Sequence, residues 1–338
     1  GEGGRHPMST SIDRDDSKRL MVFAGRASQE LGGKIAGRLG IELGEVTLKT
    51  FANGEIYVRF EESVRGADVF LVQSTCRPVN DSLMELLIMI DAAKLASAHR
   101  ITAVIPWYGY SRQDKKSAPR EPITAKLVAE LLQAAGVDRV LTMDLHAGQV
   151  QGFFRVPVDH MTALPMFVDH FRERVYEGDL TERLVVVSPD AGRAKLANHF
   201  AERLGATLAV LTKQRPDHNH AEITLLIGDV EGCAAILIDD MIDTAGTLCA
   251  GAEVVKRAGA TRIFAAATHG LLSGRAVERL RESVIEEVVI SDTVPLPEDV
   301  PSDLFRVLSV DRILADSVHN VFCDESVSAI FAGENQLF

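Results

Sequence analysis

Three aspartates and a turn rich in threonine and glycine occupy the segment "AILIDDMIDTAGT" (235–247). Its apolar run stops at two adjacent carboxylates, Asp239 and Asp240, and Asp243 opens the turn. Carboxylates at the end of a buried strand cost free energy unless they are paired or bind a ligand. The turn could bind phosphate, because successive backbone N–H groups form a concave anion site and the following helix N-terminus adds a favourable dipole.

The residue types within the turn support this phosphate-binding interpretation. Gly246 permits a close approach of the backbone, and Thr244 and Thr247 offer hydroxyl donors. The alternative is an ordinary helix N-cap, in which one side chain satisfies orphan amides. A cap explains one acid but not three. No G-x-x-x-x-G-K-[ST] or G-x-G-x-x-G motif occurs in the chain, which disfavours a P-loop enzyme or a Rossmann dehydrogenase.

Alternating helix and strand patterns surround this segment. Three stretches share a helical pattern, a small-residue break, a basic residue and a short apolar run: 92–106, 130–146 and 253–270. Gly136 and Gly259 stand where the end of a helix favours a left-handed cap. The apolar runs are continuous, as in strands that are covered on both faces. These runs are 69–72, 101–105, 140–143, 184–187, 234–238 and 263–267.

Strands that alternate with helices predict right-handed βαβ units and parallel sheets. The pattern occurs on both sides of residue 160, so we predict two similar α/β domains, each a mainly parallel sheet flanked by helices. The predicted domains span 19–160 and 161–320, and the segment at about 320–334 is expected to pack back on the first. Ligands of such sheets bind outside the carboxyl ends of the strands, so the residues after each run are candidates.

Composition and charge limit the class of function. The 338 residues are 46% hydrophobic and 25% charged, which is typical of a soluble globular protein. No apolar run approaches the ~18 residues of a membrane span, and the first ten residues lack the apolar region of a signal peptide. The net charge of -12 disfavours nucleic acid as a partner. The four cysteines form no CxxC pair, which predicts reduced thiols in a cytoplasmic protein.

Two stretches carry the positive charge that an anionic ligand needs. "SRQDKKSAPR" (111–120) holds four basic residues and one acid, and "TKQRPDHNHAE" (212–222) holds Lys213 and Arg215 after an apolar run. A solvated charged surface is the alternative, above all for Lys116 and Arg120. The second stretch has neither helical nor strand periodicity, which predicts a loop. Its "DHNH" tract has no matching Cys or His partners, so we predict no zinc site there.

These segments together resemble one family. "ILIDDMIDTAGT" resembles the ribose-phosphate loop of type I phosphoribosyltransferases and of ribose-phosphate pyrophosphokinases, also called phosphoribosyl pyrophosphate synthetases. The other motifs resemble only the pyrophosphokinases, of the bacterial class I type, and run collinearly from about residue 20 to 332. They are "FANGEIYVRFEESVRG" (51–66), "PVNDSLMELLIMIDA" (78–92), "YSRQDKKSAPREPITAKL" (110–127), "DLHAGQVQGFFRVPVD" (144–159) and "VVSPDAG" (186–192).

The resemblance implies phosphoribosyltransferase-like domains and transfer of the β,γ-diphosphoryl group of MgATP to the C1 hydroxyl of ribose 5-phosphate. It implies Lys213 and Arg215 as catalytic residues, and His146 and Asp190 as contacts of Mg²⁺. The ATP-binding residues that it implies are Phe51, Asn53, Gly54, Glu55, Arg112, Gln113, Asp114 and His146. The ribose-5-phosphate-binding residues that it implies are Arg215, Asp239, Asp240, Asp243, Thr244, Ala245, Gly246 and Thr247.

The resemblance also implies a homohexamer that phosphate activates and ADP inhibits at a subunit interface. Asp311 and Arg312 stand near that interface where many relatives carry small or proline residues, a departure that weakens the inference of this regulation. Ala245 replaces a common glycine, and Asn53 a common aspartate. Two alternatives to an active pyrophosphokinase remain. A phosphoribosyltransferase leaves the motifs assigned to ATP unexplained. A catalytically silent regulatory subunit would usually have substitutions at the positions of Lys213 and Arg215.

Overall fold

The described part of the chain alternates strands and α-helices. The computed structural model describes residues 18–214, 223–298 and 300–331. Within them the strands are β1 (Leu20–Ala24), β2 (Val46–Thr50), β3 (Ile56–Phe60), β4 (Asp68–Val72), β5 (Arg100–Ile105), β6 (Arg139–Met143), β7 (Val158–Met161), β8 (Leu184–Ser188), β9 (Thr207–Gln214), β10 (Ile223–Ile227), β11 (Ala234–Ile242), β12 (Arg262–Gly270), β13 (Glu287–Ser291) and β14 (Phe305–Leu308). The α-helices are α1 (Gln29–Arg38), α2 (Val79–Leu95), α3 (Thr124–Ala135), α4 (Leu164–Tyr176), α5 (Ala194–Leu204), α6 (Gly246–Arg257), α7 (Ala276–Glu282) and α8 (Asp311–Phe322). None of these helices is long and apolar enough to cross a membrane.

Two mainly parallel sheets form the framework. The first has the order β1-β4-β5-β6-β7, and all of its neighbours run parallel. The second has the order β10-β9-β8-β11-β12-β13-β14, in which β10 runs antiparallel to β9 and the other pairs are parallel. Strands β2 and β3 form a separate hairpin. The predicted fold class is confirmed, while the boundaries 19–160 and 161–320 stay a prediction.

The continuous apolar runs form strands, as predicted. The six runs correspond to β4, β5, β6, β8, β11 and β12, and all five residues of β4 are buried. A strand that helices cover on both faces buries successive side chains, so no alternation appears. Gly136 and Gly259 follow α3 and α6 with φ of 115° and 103°. Both adopt the left-handed conformation that was expected at a helix end.

Two strands run further than the apolar pattern indicates. β11 continues through Asp239 and Asp240 to Ile242, because β12 continues beside it and pairs Ala267 with Asp239. β9 continues to Gln214, because β10 pairs with it. Lys213 therefore lies on a strand, and the loop predicted for it is wrong. Hydrogen bonds to a neighbouring strand, rather than side-chain periodicity, extend both elements. Helix α6 begins at Gly246, within the segment 235–247.

Helix α8 returns to the first sheet and packs against α1. Asp311 begins this helix, and its Oδ2 lies 2.7 Å from Arg38 Nε at the end of α1. Further along, Arg100 Nη2 donates to Val321 O at 2.9 Å. Apolar residues of α8 join the buried cluster that contains residues of both sheets. Asp311, the departure noted in the sequence, thus has a structural role at this contact.

A buried polar cluster joins the carboxyl ends of the two sheets. His269 on β12 is fully buried, its Nε2 lies 3.1 Å from Asp144 O, and its Nδ1 lies 2.8 Å from Thr293 Oγ1. These partners favour a neutral ring with the proton on Nε2. Asp144 Oδ2 accepts hydrogen bonds from Thr268 Oγ1 at 2.6 Å and from Ala163 N at 2.9 Å. The segment after β6 is therefore fixed against β12.

The free energy of unfolding is expected to fall as the pH drops below about 6.5, the ordinary pKa of histidine. Burial lowers the pKa of His269, although the charges of Asp144 and Asp240 oppose it. As the pH falls, His269 is protonated in the unfolded chain at a higher pH than in the folded protein. Its contribution therefore lowers the free energy of unfolding by at most about 1.4 kcal/mol per pH unit. Urea midpoints at about pH 7.5 and about pH 5.5 should differ less in His269→Gln than in the wild type. His99 is exposed, so His99→Gln should show the same difference between the two urea midpoints as the wild type.

Candidate active site

The 243–247 turn between β11 and α6 has the geometry of an anion site. Helix α6 begins at Gly246, and the first amides of a helix have no intrahelical acceptor, so they and the helix dipole face an incoming anion. Arg279 Nη1 donates to Thr244 O at 2.8 Å. Ser273 N donates to Asp243 O at 2.9 Å. Both contacts come from the segment after β12, and they hold the turn in shape.

Ala245, the N-cap of α6, adopts a left-handed conformation with φ of 62°, and its side chain is buried. That conformation costs a residue with a Cβ roughly 1–2 kcal/mol, and a β-branched residue more. Ala245→Val is therefore expected to lower the free energy of unfolding by about 2 kcal/mol or more, and to weaken anion binding. Urea denaturation measures the change. Ala250→Val, exposed on the same helix, should cost only about 0.5 kcal/mol, and equal losses would contradict the role of φ.

The acid pair, Asp239 and Asp240, meets His146 at the carboxyl ends of the strands. His146 Nδ1 lies 2.9 Å from Asp240 Oδ2, and only 5% of the Asp240 side chain is exposed. Arg193 lies among them: its Nη2 is 3.3 Å from Asp240 Oδ1, and its Nε is 3.8 Å from Asp239 Oδ1. Asp190 Oδ1 accepts from Arg193 N at 2.9 Å. The structure thus brings four predicted site residues together around an arginine that was not predicted.

The two acids of the pair differ in their affinity for a proton. Burial raises the pKa of Asp239 well above its ordinary value, and the neighbouring Asp240 adds to this effect. Burial also favours the neutral form of Asp240. Hydrogen bonds from His146 and Asp239, and the charge of Arg193, outweigh that effect and hold the pKa of Asp240 below its ordinary value. Asp240 is therefore the ionised member, and Asp239 takes the first proton. The Asp239 side chain remains 28% exposed, so a ligand can reach it.

Lys213 shares a cavity with the 243–247 turn. This Lys213 cavity, of about 250 Å³, is lined by Lys213, by Gly246 and Thr247 of the turn, and by Pro189 after β8. The Lys213 side chain is exposed. An ammonium group and a helix N-terminus that face the same cavity can both contact one anion. The structure therefore brings Lys213 to the predicted phosphate-binding residues, although it lies on a strand.

The other end of the turn borders a larger cavity. This Arg112 cavity, of about 640 Å³, is lined by Arg112, Gln113, Asp243, Thr244 and Trp107, among others. Arg112 Nη1 donates to Asp243 Oδ2 at 2.8 Å. Burial favours the neutral form of Asp243, but hydrogen bonds from Ser273 and Arg112 outweigh it and hold the pKa of Asp243 below its ordinary value. The turn thus lies between a cavity with a lysine and a cavity with an arginine.

Comparisons with known proteins identify the family of this chain. The N-terminal domain of ribose phosphate pyrophosphokinase matches residues 20–136, and the phosphoribosyl synthetase-associated domain matches residues 213–332. Ribose-phosphate pyrophosphokinase from Fusobacterium nucleatum is 51% identical over 312 residues, which are 92% of this chain and 98% of that protein. The chain belongs to the ribose-phosphate pyrophosphokinase family. The pyrophosphokinase from Caldanaerobacter subterraneus is 53% identical over 312 residues, 92% of this chain and 98% of its own length. The crystal structure of phosphoribosylpyrophosphate synthetase from Mycobacterium smegmatis is similar with a TM-score of 0.86 and 46% identity, covering 91% of this chain and 100% of that one.

The hairpin of β2 and β3 carries four residues that the pyrophosphokinase resemblance assigns to ATP. These residues form the turn of the hairpin, where Gly54 has φ of 93° and Asn53 Nδ2 donates to Glu55 Oε2 at 2.7 Å. Phe51 is 51% exposed. The hairpin residues are not among those that line the Arg112 cavity or the Lys213 cavity. Their contact with ATP therefore stays a prediction.

Asp114 and Arg215 were also predicted to belong to the site. Asp114 is buried and accepts a hydrogen bond from Gln149, so its carboxylate is engaged within the protein. This contact orders the basic 111–120 stretch, and ATP binding by Asp114 stays a prediction. Arg215 and the "DHNH" tract lie outside the described residues.

Sequence reasoning missed two cations of the pyrophosphokinase site, Arg193 and Arg279. Arg193 follows the "SPDAG" motif directly, so its place after the end of β8 was a usable signal. Arg279 lies on α7, where a basic side chain is usually solvated, and the sequence carries no signal for its contact with the turn. Both contacts depend on how separate elements pack.

Proposed function

We propose that the chain transfers the β,γ-diphosphoryl group of ATP to the C1 hydroxyl of ribose 5-phosphate. The products are phosphoribosyl pyrophosphate and AMP, and the former serves nucleotide and amino-acid biosynthesis. One observation carries the proposal: one end of the 243–247 turn lines a cavity with Lys213, and the other end lines a cavity with Arg112. A sugar phosphate on this turn has cations on two sides. A substrate that receives a highly charged group needs such an environment.

The turn and the acid pair would hold ribose 5-phosphate between them. Backbone amides of the 243–247 turn and the hydroxyls of Thr244 and Thr247 donate to the phosphate. Asp239 and Asp240 accept hydrogen bonds from the ribose hydroxyls. The partial exposure of Asp239 and the position of both acids on the strand that leads into the turn support this assignment. The substrate would then span the carboxyl end of β11.

Positioning and charge account for the transfer itself. The C1 oxygen forms a bond to the β-phosphorus as the bond between that phosphorus and the oxygen of AMP breaks. Lys213 and Arg112 contact the diphosphoryl oxygens and stabilise their charge. Arg215, two residues after Lys213, is proposed to assist, although it lies outside the described residues. The strand that carries Lys213 gives its side chain a fixed origin at the cavity.

The hairpin and the basic 111–120 stretch are proposed to bind ATP. The exposed ring of Phe51 stacks on adenine, while Asn53 and Glu55 hydrogen-bond to the nucleoside. Arg112 and Gln113 contact the nucleotide from the Arg112 cavity. The hairpin does not line that cavity, and a homo-oligomer would allow it to reach the cavity of another subunit. We propose the homohexamer on this ground and on family membership.

The residues of the site fit Mg²⁺ bound through ATP. Within the described ranges no group of three or more His, Cys, Asp or Glu side chains could hold a metal alone. Mg²⁺ suits such a site, because it commonly takes one or two carboxylates and completes its coordination with phosphates and water. When bound it neutralises phosphate charge. Asp190 is exposed beside the acid pair and is the proposed protein contact. His146 is the weaker candidate, because both ring nitrogens lie within 3.3 Å of Arg193 Nη2.

Formation of AMP from ATP in Mg²⁺, with and without ribose 5-phosphate, tests the proposed function. AMP that appears only with the sugar phosphate, together with phosphoribosyl pyrophosphate, supports it. A phosphoribosyltransferase would instead consume phosphoribosyl pyrophosphate and release pyrophosphate when a base is supplied. A silent regulatory subunit would bind nucleotide without forming AMP. Either of these results would overturn the proposal.

Three further assignments remain proposals. The chain is proposed to divide at residue 160 into an ATP-side domain and a ribose-5-phosphate domain. Contacts of Lys18 and Arg100 with Asp324 support the return of the C-terminal segment to the first of these domains.

ADP and phosphate are proposed effectors, although Asp311 is engaged with Arg38. The proposed substrates are intracellular metabolites, which supports a cytoplasmic location.

A further inference from the structure

Arg193 contacts each of the four predicted site residues around it. It ends the short turn Ala191–Arg193 before α5, and 18% of its side chain is exposed. Its Nη2 donates to His146 O at 2.8 Å and lies 3.3 Å from Asp240 Oδ1. Its Nε lies 3.8 Å from Asp239 Oδ1, and its backbone N–H donates to Asp190 Oδ1 at 2.9 Å. One side chain therefore connects the segment after β6 with the end of β11.

We propose that Arg193 is a positioning residue, whose guanidinium fixes the acid pair of the second sheet against the His146 segment of the first sheet. The acids are then oriented for the ribose hydroxyls before the substrate arrives. The proposal rests on the proposed function, because that function assigns the ribose to the acid pair. Arg193 would act through these neighbours, because its guanidinium holds the groups that are proposed to contact the substrate.

The chemistry of arginine suits this role better than that of lysine. Guanidinium is planar and presents five donors in a fixed fork, so it can donate to a backbone oxygen in one direction and to carboxylates in another. An ammonium group presents its donors from a single point. Asp240 is nearly fully buried, and a buried charge is retained only when it is paired and hydrogen-bonded. Arg193 supplies that pairing from a separate element.

The packing around the cluster leaves little room for water to replace the protein contacts of the acids. A small cavity of about 10 Å³ lies against Asp144, Asp239, Asp240, Arg193 and Thr268. This volume holds at most about one water molecule. The orientation of the acids therefore depends on their charged and hydrogen-bonded partners in the protein, and Arg193 lies within 4 Å of a carboxylate oxygen of each acid. Removal of the guanidinium should release this orientation while the surrounding apolar residues stay packed.

The binding of ribose 5-phosphate alone, measured by calorimetry without metal or nucleotide, tests the proposal. Arg193→Gln is expected to raise the Kd at least about tenfold and to lower kcat by about tenfold or more, because both ion-pair contacts of the acid pair are lost. Arg193→Lys keeps the charge without the fork and should give intermediate values. Lys195→Gln, an exposed change of equal charge on α5, should stay within about twofold of the wild type.

Several outcomes would overturn the proposal. One is a folded Arg193→Gln whose Kd and kcat match the wild type, even with a lowered Tm, since a merely structural role predicts that result. Another is an Arg193→Lys variant whose Kd and kcat match the wild type. That result would overturn the positioning role even if Arg193→Gln does not fold. An equal loss in Lys195→Gln would show that charge alone matters. A wild-type protein that binds ribose 5-phosphate but forms no AMP would overturn the proposed reaction, while the Kd comparison would still test Arg193.

Discussion

Replacing Lys213 by alanine is expected to lower kcat by about 100-fold or more while the fold persists. Lys213 lies on β9 with its side chain exposed, and it lines a cavity with Gly246 and Thr247. Its ammonium stabilises charge on the transferred diphosphoryl group, and loss of one preorganised donor of this kind costs roughly 10²–10³ in kcat. Because the side chain is exposed, the free energy of unfolding should change by less than about 0.5 kcal/mol.

AMP release at saturating ATP and ribose 5-phosphate measures this effect. Lys256→Ala is the matched control. Lys256 is exposed on α6, and its substitution removes the same charge outside the Lys213 cavity. Lys213→Arg keeps the charge and should lose less activity. An unchanged kcat in Lys213→Ala would remove this lysine from the reaction. An equal loss in the Lys256 variant would show that net charge, rather than position, governs the rate.

The strand-end rule located much of this site from the sequence. Strands β8 and β11 are neighbours in the sheet and run parallel, so their carboxyl ends meet at one edge. Asp190 follows the first of these strands and the acid pair lies near the carboxyl end of the second, which is why the structure brings them close. Continuous apolar runs predict such strands well, because covered strands need no other signal. The second sheet could therefore be anticipated from the residue pattern.

Contacts between the two sheets could not be anticipated in the same way. His146 follows β6 of the first sheet, and its approach to Asp240 depends on how the sheets pack. The roles of Phe51 and Lys213 came from the family resemblance, since an Asn-Gly turn and a lone lysine indicate little by themselves. The strand under Lys213 was missed because β10 stabilises it through backbone hydrogen bonds, which side-chain periodicity does not report.

Asparagine substitutions in the acid pair are expected to separate the two substrates. Asp239→Asn should raise the KM for ribose 5-phosphate about tenfold and leave the KM for ATP nearly unchanged, because the amide replaces one acceptor oxygen with a donor, and a hydrogen-bond partner left unsatisfied costs roughly 1–3 kcal/mol. The free energy of unfolding should change little in this variant. The raised pKa of Asp239, caused by burial and by Asp240, already favours its neutral form, which asparagine resembles. Equal changes in both KM values would contradict the assignment of Asp239 to ribose alone.

Asp240→Asn should differ from Asp239→Asn in both KM and stability, because Asp240 also contacts His146, which is proposed to bind ATP. Its Oδ2 lies 2.9 Å from His146 Nδ1, so loss of the carboxylate should disturb His146 and raise the KM for both substrates. The same change leaves Arg193 without its most buried partner, and a broken buried ion pair costs about 3 kcal/mol or more. Separate KM titrations and urea denaturation measure the two effects. An Asp240 variant as stable as the Asp239 variant would mean that the ion pair with Arg193 contributes little to the free energy of unfolding.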